Sequence, residues 1–304
     1  GLTESVVTIG MITGPPIGSF LYAIGGFRLP LVLFGANIIF LTFIAMFTVR
    51  INESCQIAAN NSVALREYIR LVRMPATILA ILCVTLNVVT DSFLLITLTS
   101  HLQTFELQPQ AIGAIFMCLF LSYGISSPLS GRLADNRNIE YTLQAIGALI
   151  VVLSFILIAP LFSMSKNAKL VTIIIGLFCK GLGAGPLISC SYTACLKSVT
   201  QNNGMIRDSK ICTMVSSIIS FAIPLGNLLG GSTAGIMFEE LGMKKCSIIY
   251  ASMFLVLATI CMFRVILDNY GSQFQYTQSL NTYNETPHPL TTKAVQKHSY
   301  RSFE

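Results

Sequence analysis

Apolar stretches long enough to cross a bilayer, roughly 20 residues each, recur along nearly the whole chain. Eight can be counted, at about 1–23, 29–49, 75–100, 109–130, 141–162, 169–196, 209–238 and 245–267. In hydrocarbon every backbone N–H and C=O has to be bonded within the protein, so such segments fold as helices. The predicted fold class is an all-α membrane protein. Composition agrees: 53% of the 304 residues are hydrophobic and only 11% are charged, whereas a soluble domain carries about 25% charged residues. The first stretch opens at Gly1 with neither a methionine nor a charged flank. It is not expected to be a signal peptide, and the chain reads as truncated at its start.

Within the first stretch Gly10, Gly14 and Gly18 recur every fourth residue, with Pro15 and Pro16 between them. Glycines at this spacing line one helix face and are predicted to let a neighbouring helix approach closely. The proline pair predicts a bend. Gly231, Gly235 and Gly242 repeat the spacing of Gly14, Gly18 and Gly25 six spans later, as an internally repeated transporter would.

Lys and Arg set the predicted orientation. Placing the 50–74, 131–140 and 197–210 loops and the tail in the cytosol collects most of the basic residues there. The other side keeps Arg28, Lys166, Lys169, Lys244 and Lys245, which satisfies the positive-inside rule. The 61–73 stretch places Leu65, Ile69 and Val72 on one face with arginines around it, predicting a short helix lying on the bilayer. The 268–304 tail lacks apolar periodicity and is predicted to be disordered. The nine cysteines form no CxxC pair and lack histidine partners; they predict small core residues, with no metal site and no cofactor.

Charges at bilayer depth are the candidate site, because each costs roughly 2.5–3.5 kcal/mol at a helix centre. Asp91 lies well inside the third span, with Asn87 one turn earlier on the same face and Ser92 beside it. Such a carboxylate can bind an ammonium, or a proton in its absence; the other reading is a structural ion pair with Lys180. Lys180 precedes Gly181-Leu-Gly183-Ala-Gly185-Pro186, a stretch expected to bend during a conformational switch. Tyr123, Tyr192, Ser189, Ser191 and Asn227 are polar residues in apolar spans that could line a cavity or bond between helices. There is no HExxH, GxSxG or paired histidine cluster, so an enzyme is not expected; nor does the charge distribution suggest nucleic acid.

The Gly10–Gly18 segment resembles the antiporter motif of the fifth helix in the major facilitator superfamily. The 122–138 stretch, Ser122-Tyr-Gly-Ile-Ser-Ser-Pro-Leu-Ser-Gly131-Arg-Leu-Ala-Asp135-Asn-Arg137-Asn, is similar to the signature between its helices 8 and 9. The strings from Glu4 to Tyr22, Phe27-Arg-Leu-Pro30 and Leu121 to Pro128 resemble the vesicular amine transporter family, in particular its polyamine-carrying branch. That likeness runs to about residue 267 and implies eight of twelve helices, numbers 5 to 12. Residues 1–49 would then be the last two helices of the N-terminal half, 50–74 a cytosolic linker and 75–267 the six-helix C-terminal half.

The resemblance implies a monomeric, proton-coupled antiporter that moves polyamines or related amines into acidic secretory or synaptic vesicles by alternating access. Its partners would be a small organic cation, protons and the lipid bilayer. Glu4 matches an acidic position of the family's fifth helix and joins Asp91 as a candidate for coupling. Gly131, Asp135 and Arg137 match the conformational signature. Lys180 departs from the family pattern, which tends towards a small polar residue there, and a fixed cation would discourage a cationic substrate. The alternatives are a facilitator-type exporter of another organic cation or drug, or a non-transporting scaffold derived from a transporter.

Overall fold

The computed structural model describes residues 2–48, 65–136, 139–159, 166–202 and 209–285. Eight helices make up nearly all of them: α1 (Leu2–Gly25), α2 (Arg28–Thr48), α3 (Leu65–Val72), α4 (Pro75–Gln103), α5 (Pro109–Asn136), α6 (Glu140–Ile158), α7 (Lys166–Asn202) and α8 (Ser209–Glu285). Among the described residues six helical stretches are long and apolar enough to cross a membrane. The eighth helix contains the two spans expected at 209–238 and 245–267, merged across a kink at Gly242 (φ 72°, ψ 165°). That left-handed backbone is open to glycine at little cost. Helix α1 ends beside another left-handed residue, Gly26 (φ 63°). Residues 1–261 form one compact unit and residues 262–304 a second; the tail predicted to be disordered is helical as far as Glu285, and 286–304 fall outside the described residues.

Helix α7 is the hub of the first unit. Its glycines alternate between partners as helical geometry requires. Gly181 and Gly185, four apart, face α5 at Leu119–Ser122 and Ser126–Ser127, while Gly183 between them faces α6. A Cβ added at Gly183 would stand 2.6 Å from the Gly147 carbonyl oxygen, and one at Gly147 would stand 2.8 Å from that of Gly183. The 181–186 stretch, expected to be a bending point, is therefore continuous helix packed on both sides. Pro186 fills the space beside Gly147.

In α1 Gly10, Gly14 and Gly18 have open space where a Cβ would go. It is Thr8, Pro15 and Ser19 that meet a neighbour, at Gly124 and Gly113 of α5. The small residues that permit this approach belong to the partner helix. Pro15 faces α5 through its carbonyl, and both prolines lie inside an assigned helix. In α8 Gly226 and Gly230 sit against the Thr85 and Val89 carbonyls of α4, while Gly235 meets no described residue within 4 Å.

Helix α2 has no buried residue. In α3 Leu71 enters an apolar cluster with Val84, Val88, Val199 and Val215, and Tyr68 packs against it. Ile69 and Val72 remain exposed. Phe93 of α4, Phe155 of α6 and Tyr250 with Phe254 of α8 form an aromatic stack, with centroid separations of 4.8, 5.6 and 6.4 Å.

These contacts separate two glycines of one helix group. Gly183→Ala forces α7 off α6 and is expected to cost about 1–3 kcal/mol, the usual range for overpacking. Gly131→Ala, whose added Cβ would find Ser189 at an ordinary 3.8 Å, should leave stability within about 0.5 kcal/mol. Thermal unfolding of the detergent-purified protein measures both; equal shifts would refute the packing assignment.

Candidate functional site

Asp91, Asn87 and Lys180 come together between α4 and α7. The Lys180 Nζ donates to Asp91 Oδ1 at 2.6 Å and to Asn87 Oδ1 at 2.8 Å. Asn87 Nδ2 donates to Asp91 Oδ2 at 3.0 Å. The result is a closed ring in which each member bonds the other two. The i, i+4 spacing of Asn87 and Asp91 puts amide and carboxylate on one face of α4. Lys180 is held opposite by the close approach of its neighbour Gly181 to α5 at Tyr123.

Burial within the ring is uneven. The Lys180 side chain is 0% exposed and that of Asp91 25%. An ammonium with no water must be paired, because an isolated charge in the interior is very costly. Beside Asp91, Ser92 donates to Asn227 Oδ1 of α8 at 2.7 Å.

Of the other residues singled out in the sequence, Ser189, Ser191 and Tyr192 make their contacts away from the ring. Tyr123 is half-buried on α5 at the level of Gly181. Tyr192 packs on the apolar cluster that includes Val84 and Val88. Ser189 shares a 2.6 Å hydrogen bond with Ser127, and Ser191 accepts one from Gln144 at 2.9 Å, so both tie helices together. Glu4 falls in the first turns of α1, its side chain outside the described residues, and Arg137 is outside them too.

A second polar cluster stands at the far end of α7. Asp135 accepts from Thr193 Oγ1 at 3.4 Å. Lys197 donates to the Ala134 carbonyl at 2.6 Å and to Glu140 Oε2 at 3.2 Å. Sequence reasoning missed Lys197 and Glu140 by treating them as loop charges. The signal was available: Glu140 sits in the first turn of α6, where a carboxylate complements the helix dipole. At the opposite end of the bundle a cavity of about 230 Å³ is bordered by His101, Lys169 and Lys244, a lining unsuited to a cation. Among the described residues no group of His, Cys, Asp and Glu could hold a metal ion.

The described helices are span-length, meet at backbone distance and bury a carboxylate–ammonium ring mid-helix. The sequence profile of the Major Facilitator Superfamily matches residues 1–206. The chain belongs to that superfamily and is a multi-pass membrane protein. It is similar to the MFS-type transporter SLC18B1 of Homo sapiens, with 26% identity over 248 residues, covering 80% of this chain and 52% of the human protein. The proteins of the same name from Rattus norvegicus and Mus musculus are each 25% identical over 247 residues, with the same coverage. The chain spans about half the length of the curated relatives it matches.

The ring predicts a non-additive mutant pair. Asp91→Leu leaves the buried Lys180 ammonium without its counter-charge and should cost about 3–5 kcal/mol, whereas adding Lys180→Met should recover most of that loss. Chemical unfolding in detergent reads both; a double variant no more stable than Asp91→Leu alone would sink the assignment.

Proposed function

We propose that this chain forms part of a proton-coupled antiporter that loads polyamines or related organic amines into acidic vesicles by alternating access. The observation that carries the reading is the company Asp91 keeps. Its carboxylate already binds a primary alkylammonium, that of Lys180, with an amide bridging the two. A polyamine offers the same terminal group. Asp91 is also the partly exposed member of the ring, so an incoming amine has a side from which to reach it. The polyamine class comes from the resemblance of the 4–22 and 121–128 strings to the vesicular amine transporter family; the ring adds the chemistry that selects a cation.

On this reading Asp91 and Asn87 bind the amine, and Lys180 is the internal cation it displaces. The Lys180 charge is matched by Asp91 until that exchange takes place. Tyr123 borders the site on α5, while Glu4 and Tyr192 keep secondary roles in coupling and substrate contact. Gly131, Asp135 and Arg137 act on conformation through the end of α7. The protein works as a monomer.

The test is spermidine uptake into proteoliposomes carrying the full-length protein, with and without an acid interior, beside Asp91→Asn. Uptake in the native protein should require the gradient and fall at least about tenfold in the variant, the loss expected when a charged hydrogen-bond partner of roughly 1.5–3 kcal/mol is removed. Gradient-driven uptake that survives the substitution would make the ring structural. No uptake in the native protein would eliminate the polyamine.

A further inference from the structure

Resting on the amine-exchange reading above, we infer that the proton carrier of this site is the Lys180 amine and that Asp91 stays ionised throughout the cycle. Helices α4, α5 and α6 pack against α7, which carries Lys180. From α4 it meets Asp91 and the neutral Asn87. From α5 the groups at its level are Ser122, whose hydroxyl is bonded to the Leu119 carbonyl, and the phenol-bearing Tyr123. From α6 the residues facing this part of α7 are Gly147, Val151 and Ser154. The remaining carboxylates of these elements, Asp135 and Glu140, attach to Thr193 and Lys197, about 20–25 Å farther along α7 at 1.5 Å per residue. Among the described residues Asp91 is the one counter-charge within reach.

Consider both candidate carriers. If Asp91 took the proton, Lys180 would remain an ammonium in every state. Protonation of Asp91 would leave that ammonium unpaired, and amine binding would set two cations against one carboxylate. Each state would hold an uncompensated charge at a position with no exposed surface, the arrangement that proteins avoid by neutralising the group. If Lys180 is the carrier, both states are balanced. In the resting state Lys180 Nζ–H₃⁺ pairs with Asp91. When the substrate ammonium takes Asp91, one proton leaves Nζ for water and Lys180 stays behind as a neutral amine. At the ring itself, one terminal ammonium of the substrate enters as one proton leaves.

Asn87 suits both states. Its carboxamide presents an oxygen acceptor to the ammonium and has an N–H₂ donor for the lone pair of the neutral amine. The direction of exchange also follows. On an acidic side Lys180 regains its proton, re-forms the pair with Asp91 and expels the amine; on a neutral side the amine wins. Amine therefore moves towards acid as protons move out.

Proton release on spermidine binding to the full-length protein in detergent tests this, read with a pH dye in weak buffer alongside a binding isotherm. The native protein should release protons stoichiometrically with amine bound. Lys180→Gln should bind spermidine without releasing a proton; release undiminished in this variant would overturn the inference and assign the proton to Asp91 or elsewhere. Lys180→Arg keeps the charge and the pairing, so it guards against loss of fold. Its guanidinium does not deprotonate in proteins, and it should bind spermidine at least about tenfold more weakly, a penalty of about 1.4 kcal/mol or more, with no release. Native-like release from Lys180→Arg would likewise overturn the inference. A native protein that binds no amine would refute the function proposed above, a failure visible before either variant is compared.

Discussion

Among the described residues Lys180 is the one charged side chain with no exposed surface, and the placement of α4 follows from that. A buried ammonium tolerates few arrangements: a carboxylate must reach it, and its remaining protons need acceptors. Asp91 and Asn87 supply both from successive turns of one helix face, which fixes the rotation of α4 about its axis. Its height is fixed independently near the other end, where Thr77 Oγ1 and Cys195 Sγ lie 3.3 Å apart. The intervals between these two contacts, 77 to 91 on α4 and 180 to 195 on α7, are nearly equal in residues and opposite in direction. Antiparallel helices of equal rise require that.

Packing of the other helices depends on glycine in a way easily misread. A stripe of glycines in a sequence shows where a neighbour is permitted, not where one sits. In α1 the stripe at Gly10, Gly14 and Gly18 is open, and contact is made by Pro15 and Ser19 against a glycine of α5. What decides the matter is the pair of surfaces, which no single helix carries. Gly181, Gly183 and Gly185 illustrate the opposite case. Their two-residue spacing looks like a flexible string, yet it serves two partners on opposite faces of a continuous helix.

Fold class and site were therefore legible to different depths. Hydropathy alone revealed the helices, because backbone satisfaction in lipid leaves no other regular option for such segments. Asp91 and Asn87 were legible as a unit because their interaction is local, one turn apart. Their union with Lys180, 89 positions away, could be stated only as one of two alternatives, since it depends on the phase of two helices. The boundary between the last two spans was visible as Gly242 but its geometry was not. A glycine permits a left-handed backbone without requiring one, and the kink rests on the φ and ψ that this single residue adopts. Lys197 and Glu140 went unnoticed for a simpler reason: charges at span ends are ordinary, and only three-dimensional contact separates a staple from a solvated loop.

The ring gains its importance from where it lies. Helices α5, α6 and α7 are locked at backbone distance by Gly181, Gly183, Gly185 and Gly147. Lys197 staples them at one end by bonding a carbonyl near the end of α5 and a carboxylate in the first turn of α6, both of which the helix dipoles favour. Helices α4 and α8 are locked in the same manner by Gly226 and Gly230. Between these two groups the contacts are of another kind: valines and aromatic rings, which are non-directional, the Thr77–Cys195 contact, and the Asp91–Lys180 pair. A seam of apolar surface can slide at small cost, whereas an ion pair holds only one register. On the proposed function, exchanging the cation on Asp91 removes the strongest directional link across the seam between α4 and α7.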